Sequence, residues 1–106
     1  MYISEMLEKL PLTALDHEED RPVRGVFCCD LLSVAMAKAP EDSAWVTVIG
    51  NANAVAVATL ADVACIVISE GYSYDEAAIN AAKGKITLIK SDKPTYETAV
   101  AIGSLL

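Results

Sequence analysis

Seven residues that could bind a ligand follow short apolar runs of this chain. They are Asp30, Asn51, Asn53, Ser69, Glu70, Gly71 and Asp92. The carboxylates Asp30, Glu70 and Asp92, if they lie together, favour a cation or a hydroxyl-rich ligand. Alternatively, Asp30 is only a helix cap and Asp92 only a turn residue. We predict a ligand-binding site at these positions and no catalytic residue.

Two of the polar segments have structural explanations beside the functional ones. The segment from Gly50 to Asn53 could present backbone N–H groups to an anion at the start of the next helix. Alternatively, Asn51 or Asn53 simply caps that helix. The segment lacks the lysine of a P-loop and the three glycines of a dinucleotide fingerprint. Further along, Ser73 and Glu76 have the spacing of a capping box, whereas Glu70 has no such explanation.

The side chains that could support metal or nucleophilic chemistry are few. The single histidine, His17, lies in a charged loop and is interpreted as a solvated loop residue. Cys28 and Cys29 are adjacent in a strand pattern, so both cannot turn to one ion. We therefore predict no metal and no cofactor. The two cysteines and Cys65 are interpreted as small buried hydrophobes, with a redox role as the alternative, and an enzyme acting through Glu70 or Cys65 is the least supported hypothesis.

The elements that must position these residues alternate between strands and helices. Short apolar runs at 23–29, 45–49, 65–68 and 86–89 predict strands. Helical patterns are predicted at 5–10 (capped by Ser4), 31–37 (capped by Asp30), 54–63, 74–82 and 95–105. Such alternation is typical of a layered α/β domain with a mainly parallel sheet of four or five strands flanked by helices. In such sheets ligands bind at the carboxyl ends of the strands, where the seven residues lie.

Composition limits the classes of partner. The chain has 106 residues, which predicts one domain over residues 1–106, and 54% of them are hydrophobic. Its net charge of −7 argues against nucleic acid, which requires clustered basic residues. No apolar run approaches the length of about 20 residues that spans a bilayer, and no secretory signal is visible, so a cytoplasmic location is expected.

Two predicted helices, 54–63 and 95–105, are apolar nearly all the way round. A solvent-facing helix of a small domain normally has one polar face. We therefore predict a homodimer that contacts through these helices. The alternative is that alanine-rich helices are tolerated at a surface.

Several short motifs, in order, resemble the DRTGG-domain family. The segment from Asp20 to Gly25, with the sequence DRPVRG, looks like its opening motif. Residues 27–33 look like the strand and helix that follow, residues 45–58 like the next pair, and residues 66–71 fall where relatives carry a Thr-Gly-Gly-like tip. Cys29 replaces the usual glycine before Asp30, and Glu70 stands where glycine is common.

The resemblance implies an α/β fold similar to the N-terminal domain of HPr kinase/phosphorylase, without that enzyme's kinase domain. Relatives accompany paired CBS modules or phosphate acetyltransferase, and stand-alone members occur near redox and hydrogenase genes. We therefore predict a non-catalytic regulatory or ligand-binding module, with a nucleotide or small metabolite as its ligand. The alternative is an interaction or assembly factor for a redox enzyme of the hydrogenase type.

Overall fold

The computed structural model describes residues 1–16 and 18–106, and His17 lies outside the described residues. Five helices and five strands follow one another along these described residues. They are α1 (Ile3–Lys9), β1 (Thr13–Asp16), β2 (Gly25–Cys28), α2 (Leu32–Lys38), β3 (Ser43–Thr47), α3 (Ala52–Ala61), β4 (Cys65–Ile68), α4 (Glu76–Ala82), β5 (Thr87–Lys90) and α5 (Thr95–Gly103).

The strands form one five-stranded sheet in the order β1-β5-β4-β3-β2. Strands β2 to β5 pair in parallel, whereas β1 pairs antiparallel with β5. The predicted mainly parallel α/β sheet is therefore confirmed. Because β2 to β5 are parallel, their carboxyl ends lie together at one end of the sheet, as predicted from the sequence. We call this end the carboxyl edge.

Helices cover both faces of the sheet because successive strand residues point to opposite sides. Trp45, Ile66 and Ile68 face a cluster built with α2, α3 and α4. Val46 and Val67 face a second cluster that includes side chains of α1 and α5. All five are fully buried, and burial of each large aliphatic side chain contributes about 1.5–3 kcal/mol.

The two apolar helices of the predicted dimer lie on opposite faces. Helix α3 packs between α2 and α4, whereas α5 packs across β2 and β3 on the other side. Each helix buries one side and exposes apolar residues on the other, including Leu60 of α3 and Val100 of α5. A single two-fold interface can therefore use one of these helices but not both.

Some helix starts differ from prediction because other residues supply the caps. Helix α1 begins at Ile3, and Ser4 lies in its first turn, where it donates to the Asp20 carboxylate from both its N–H and its hydroxyl, at 3.0 and 2.7 Å. The predicted capping box of Ser73 and Glu76 is wrong. Helix α4 begins at Glu76, and Asp75 caps it by accepting from the Ala78 N–H at 2.8 Å.

Arg21 ties together the turns at the amino ends of β3 and β4. Its guanidinium donates to Asp42 at 2.6 Å and to Asp62 at 3.0 Å, and also to the Asp62 and Val63 carbonyls. The hydrogen bond from Arg21 to Asp42 lowers the pKa of the Asp42 carboxyl. The opening motif of the DRTGG resemblance is thus built into the scaffold, with Asp20 at α1 and Arg21 at these turns, far from the carboxyl edge. None of the described helices is long and apolar enough to cross a membrane.

Candidate functional site

The tip after β4 is closely joined to the tip after β5. The Glu70 N–H donates to the Lys93 carbonyl at 2.8 Å, and the Gly71 N–H donates to the Ser91 carbonyl at 3.1 Å. Both Glu70 and Gly71 have left-handed backbones, with φ of 61° and 69°. Two consecutive residues in this region curl the chain so that their N–H groups turn toward β5. Those N–H groups are consequently not free for an anion.

The Glu70 carboxylate closes the start of α5. Its Oε2 accepts a hydrogen bond from the Thr95 N–H at 2.7 Å. Pro94, which precedes the helix, has no side chain able to cap it, so an acid from another strand satisfies this backbone donor. The negative charge also lies at the positive end of the helix dipole. Glu70 is therefore at least partly a structural residue.

Ser69 is buried and faces α5 rather than solvent. Its hydroxyl lies 2.7 Å from the hydroxyl of Thr95. A second buried hydroxyl pair, Ser91 and Thr98, lies 2.8 Å apart one turn further along α5. The sequence does not point to Thr95, Ser91 or Thr98. A serine or threonine in an apolar segment can be recognised as half of a buried hydroxyl pair only when its partner is known.

Asp92 is the most accessible of the three predicted carboxylates. It is exposed in the tip after β5, and its side chain makes no hydrogen bond to any residue the structure describes. Because this tip is hydrogen-bonded to Glu70 and Gly71, Asp92 lies at the same end of the sheet as those residues. Lys90, in β5, donates from its ammonium to the Ser73 hydroxyl at 3.1 Å.

Asp30 lies at the carboxyl ends of β2 and β3, away from the β4–β5 loops. The prediction that it caps α2 is wrong, since Leu31 is the residue at that cap. One Asp30 oxygen instead accepts from the Thr47 hydroxyl at 2.8 Å and the Val48 N–H at 2.9 Å. These bonds hold the end of β2 to the end of β3, two strands from Glu70. Within the described part of the chain, no three histidine, cysteine or acidic side chains are placed to hold a metal ion.

The segment after β3 follows the structural interpretation. Asn51 caps α3 by accepting from the Ala54 N–H at 3.0 Å, whereas Asn53 is exposed in the first turn. A Cβ at Gly50 would overlap the Ser73 carbonyl oxygen. The segment therefore packs tightly against the loop before α4.

The buried nucleophiles belong to the core. Burial raises the pKa of the Cys65 thiol to about 12 and raises the pKa of Tyr74 as well. The Tyr74 hydroxyl lies within 3.1 Å of the Ile66 carbonyl and 2.8 Å of the Ile89 carbonyl, so it links β4 to β5. The prediction of buried cysteines holds for Cys65 and is wrong for Cys28, which is exposed on the edge strand β2, while Cys29 is half-buried. Partial burial and then the Asp30 charge raise the pKa of the Cys28 thiol. A thiol with a raised pKa is a weak nucleophile at neutral pH.

The architecture has a counterpart among solved structures. The regulatory region of Clostridium perfringens pyrophosphatase, which contains CBS and DRTGG domains, superposes with a TM-score of 0.75 at 17% identity. The fold is that of a DRTGG-like domain. The match covers 94% of this chain but only 45% of the other, so this chain spans less than half of that protein. No protein-family model and no curated protein matches the sequence.

Glu70 occupies a backbone conformation that favours glycine. Glu70 has the left-handed backbone that glycine adopts without strain, and glycine is what the sequence analysis expects in relatives. In this chain the Glu70 carboxylate caps α5. All seven predicted residues follow the carboxyl ends of strands, and they divide into two groups. The β4–β5 group contains Ser69, Glu70, Gly71 and Asp92, and the β2–β3 group contains Asp30, Asn51 and Asn53.

Proposed function

We propose that this chain is a non-catalytic regulatory module, a single domain that binds a nucleotide or similar metabolite at the carboxyl ends of β4 and β5. The observation that carries the proposal is the contact of Thr95 with both Ser69 and Glu70. This contact ties the start of α5 to the tip of β4, and each element continues into an exposed tyrosine. Tyr72 and Tyr96 expose 56% and 78% of their surface.

These exposed groups have the chemistry that a nucleotide requires. Aromatic rings at a surface offer faces on which a base can stack. The Asp92 carboxylate can accept hydrogen bonds from ribose hydroxyls, and the exposed Lys93 ammonium can pair with phosphate. The pyrophosphatase region with the similar fold was crystallised with its activator diadenosine tetraphosphate, and that observation supports nucleotides as the first ligands to test.

Calorimetric titration with adenosine mono-, tri- and dinucleotides at millimolar concentration tests the proposal. We expect binding that is weakened about tenfold by Tyr96→Ala and by Asp92→Ala, since each removes a group that faces the ligand. Leu60→Ala, on the exposed side of α3, is the matched control and should bind normally. No binding of any nucleotide, or equal weakening by the control, would contradict the proposal.

We also propose that the module is a cytoplasmic homodimer. The exposed apolar residues Leu60 on α3 and Val100 on α5 support association, although these two helices cannot share one interface. The same residues favour the second candidate function, an accessory factor that docks on a redox enzyme. Co-purification from the native host, with Val100→Glu as the comparison, distinguishes the two. A homodimer that retains no other protein would contradict the second function.

A further inference from the structure

The connections that leave β4 and β5 lead to opposite faces of the sheet. Strand β4 continues into α4, whose Ala78 and Ala82 pack in the same cluster as α2 and α3. Strand β5 continues into α5, whose Ile102 packs in the cluster on the other face. In open α/β sheets, ligands bind at the carboxyl ends of neighbouring strands whose connections part in this way. The carboxyl ends of β4 and β5 are therefore where this topology favours a ligand.

A lysine and a serine meet at this point, on the face that α4 covers. Lys90 is the last residue of β5, and it lies on the same face as Leu88, which packs in the cluster of α4. Its ammonium donates to the Ser73 hydroxyl at 3.1 Å. Because Ser73 belongs to the loop between β4 and α4, this contact joins the end of β5 to the connection that leaves β4.

The Lys90 ammonium has no carboxylate partner among the described residues. The acids of the adjoining loop bind backbone donors instead. Glu70 accepts from the Thr95 N–H, and Asp75 accepts from the Ala78 N–H. In a chain with a net charge of −7, a half-buried lysine at this position is therefore left without a direct counter-charge.

The Lys90–Ser73 pair retains hydrogen-bond donors for an anion. A lysine ammonium has three N–H donors, and one of them goes to Ser73. The Ser73 hydroxyl accepts that bond, and its own O–H reaches no acceptor in the part of the chain that the structure describes. The remaining lysine donors and the hydroxyl donor therefore lie side by side. Phosphate oxygens accept such bonds, and bonds between charged groups are stronger than neutral ones.

We propose that Lys90 and Ser73 together bind the phosphate of the nucleotide, so that the site takes nucleotides in preference to uncharged nucleosides. The bond between the two side chains holds the ammonium in place, and a group that is already ordered loses less entropy when a ligand binds. The Lys93 ammonium, exposed after β5, makes no such contact with a described residue. The inference rests on the proposed function, because it concerns the same site.

Calorimetric titration with adenosine monophosphate and with adenosine tests the pair. We expect Lys90→Gln to weaken binding of the monophosphate about tenfold, and Ser73→Ala about threefold, with adenosine binding unchanged in both. Lys90→Arg keeps the charge and should stay within about threefold of the wild type. Lys85→Gln is the matched control, because it removes the same charge from an exposed lysine before β5, at the opposite end of the sheet. It should bind both compounds normally.

The adenosine titration separates phosphate binding from folding, since a variant that binds adenosine normally is folded. Equal weakening of both compounds by Lys90→Gln would overturn the inference in favour of a purely structural bond to Ser73. The inference also fails if the wild type binds adenosine as tightly as the monophosphate, or if Lys85→Gln weakens monophosphate binding as much as Lys90→Gln does. Nucleotide binding survives each of these results. A wild type that binds neither compound nor any other nucleotide overturns the proposed function itself.

Discussion

Single residues at the carboxyl edge have two roles that the sequence cannot separate. Asn51, Glu70 and Asp30 each accept backbone hydrogen bonds from a neighbouring element. A residue used in this way has less capacity left for a ligand. The Asp92 side chain makes no hydrogen bond to any described residue, so both of its carboxylate oxygens can bind a ligand. We therefore expect ligand contacts at Asp92 and the exposed tyrosines, whereas Glu70 stabilises the start of α5.

Substitutions of Glu70 should separate its cap from its backbone. Glu70→Ala loses the hydrogen bond to Thr95, and we expect a destabilisation of about 1 kcal/mol. Glu70→Gly loses the same bond but relieves the left-handed backbone, so it should be more stable than the alanine variant. Urea denaturation measures both. A glycine variant less stable than the alanine variant would show that backbone conformation is not important here.

Gly50 is required by close approach rather than by an unusual φ. We expect Gly50→Ala to cost about 1–3 kcal/mol, because its Cβ would overlap the Ser73 carbonyl oxygen and the Ile68 side chain. Gly103→Ala, which meets nothing within 4 Å, is the matched control and should leave the stability equal or slightly higher. The changes in the free energy of unfolding that the two substitutions cause, measured by urea titration, should differ in sign or by more than about 1 kcal/mol.

At the scale of elements, loops at both ends of the sheet hold the layers in register. Hydroxyl pairs and Glu70 fasten α5 at the carboxyl edge, while Arg21 fastens the turns before β3 and β4 at the amino edge. These contacts join residues far apart in sequence. Asp42 and Asp62 both have left-handed backbones, and Arg21 bonds to the side chains of both.

The Arg21 contact predicts acid sensitivity. Its hydrogen bond depresses the pKa of Asp42 below the ordinary value of 3.8. Stability from this contact is therefore complete above about pH 4 and is lost as the pH falls through the depressed pKa. Thermal denaturation between pH 5 and pH 2 should show a smaller acid-induced drop in Tm for Arg21→Gln than for wild type. Equal drops would contradict the assignment. Arg24→Gln, which removes only the longer bond to Asp42 at 3.3 Å, should change the drop less than Arg21→Gln.

At the scale of the whole molecule, the core keeps its thiol and phenol protonated. Cys65 is fully buried in the middle of the sheet, and its pKa of about 12 lies above the ordinary 9.0. The unfolded chain therefore releases a proton above pH 9 that the folded chain retains, so stability decreases as the pH rises.

The expected loss from Cys65 is about 1.4 kcal/mol per pH unit between pH 9 and the folded pKa. Urea denaturation at pH 8, 9 and 10 should show it in the wild type. Cys65→Ala, which is less stable at every pH because of the cavity, should lack this slope. An identical slope in both proteins would mean that other groups cause the alkaline loss.

Much of the architecture follows from local patterns. Four apolar runs alternate with helical ones, and continuous apolar strands are stable only between two layers, so the parallel sheet was predictable. The caps were less predictable. Ser4, Asp30 and Ser73 have the right residue type at the right spacing. In the structure, Glu5 accepts from the Tyr2 N–H at the start of α1, no side chain caps α2, and Asp75 caps α4.

The sequence by itself determined the α/β class, the carboxyl edge as the place of the candidate residues, and the acidic character of the chain, because these depend on periodicity and composition. Only the tertiary structure decided that Glu70 caps α5, that Asp30 joins β3, and that α3 and α5 lie on opposite faces. These facts depend on contacts between residues distant in the chain. A sequence pattern identifies a donor or an acceptor, but the partner is set by how the layers pack.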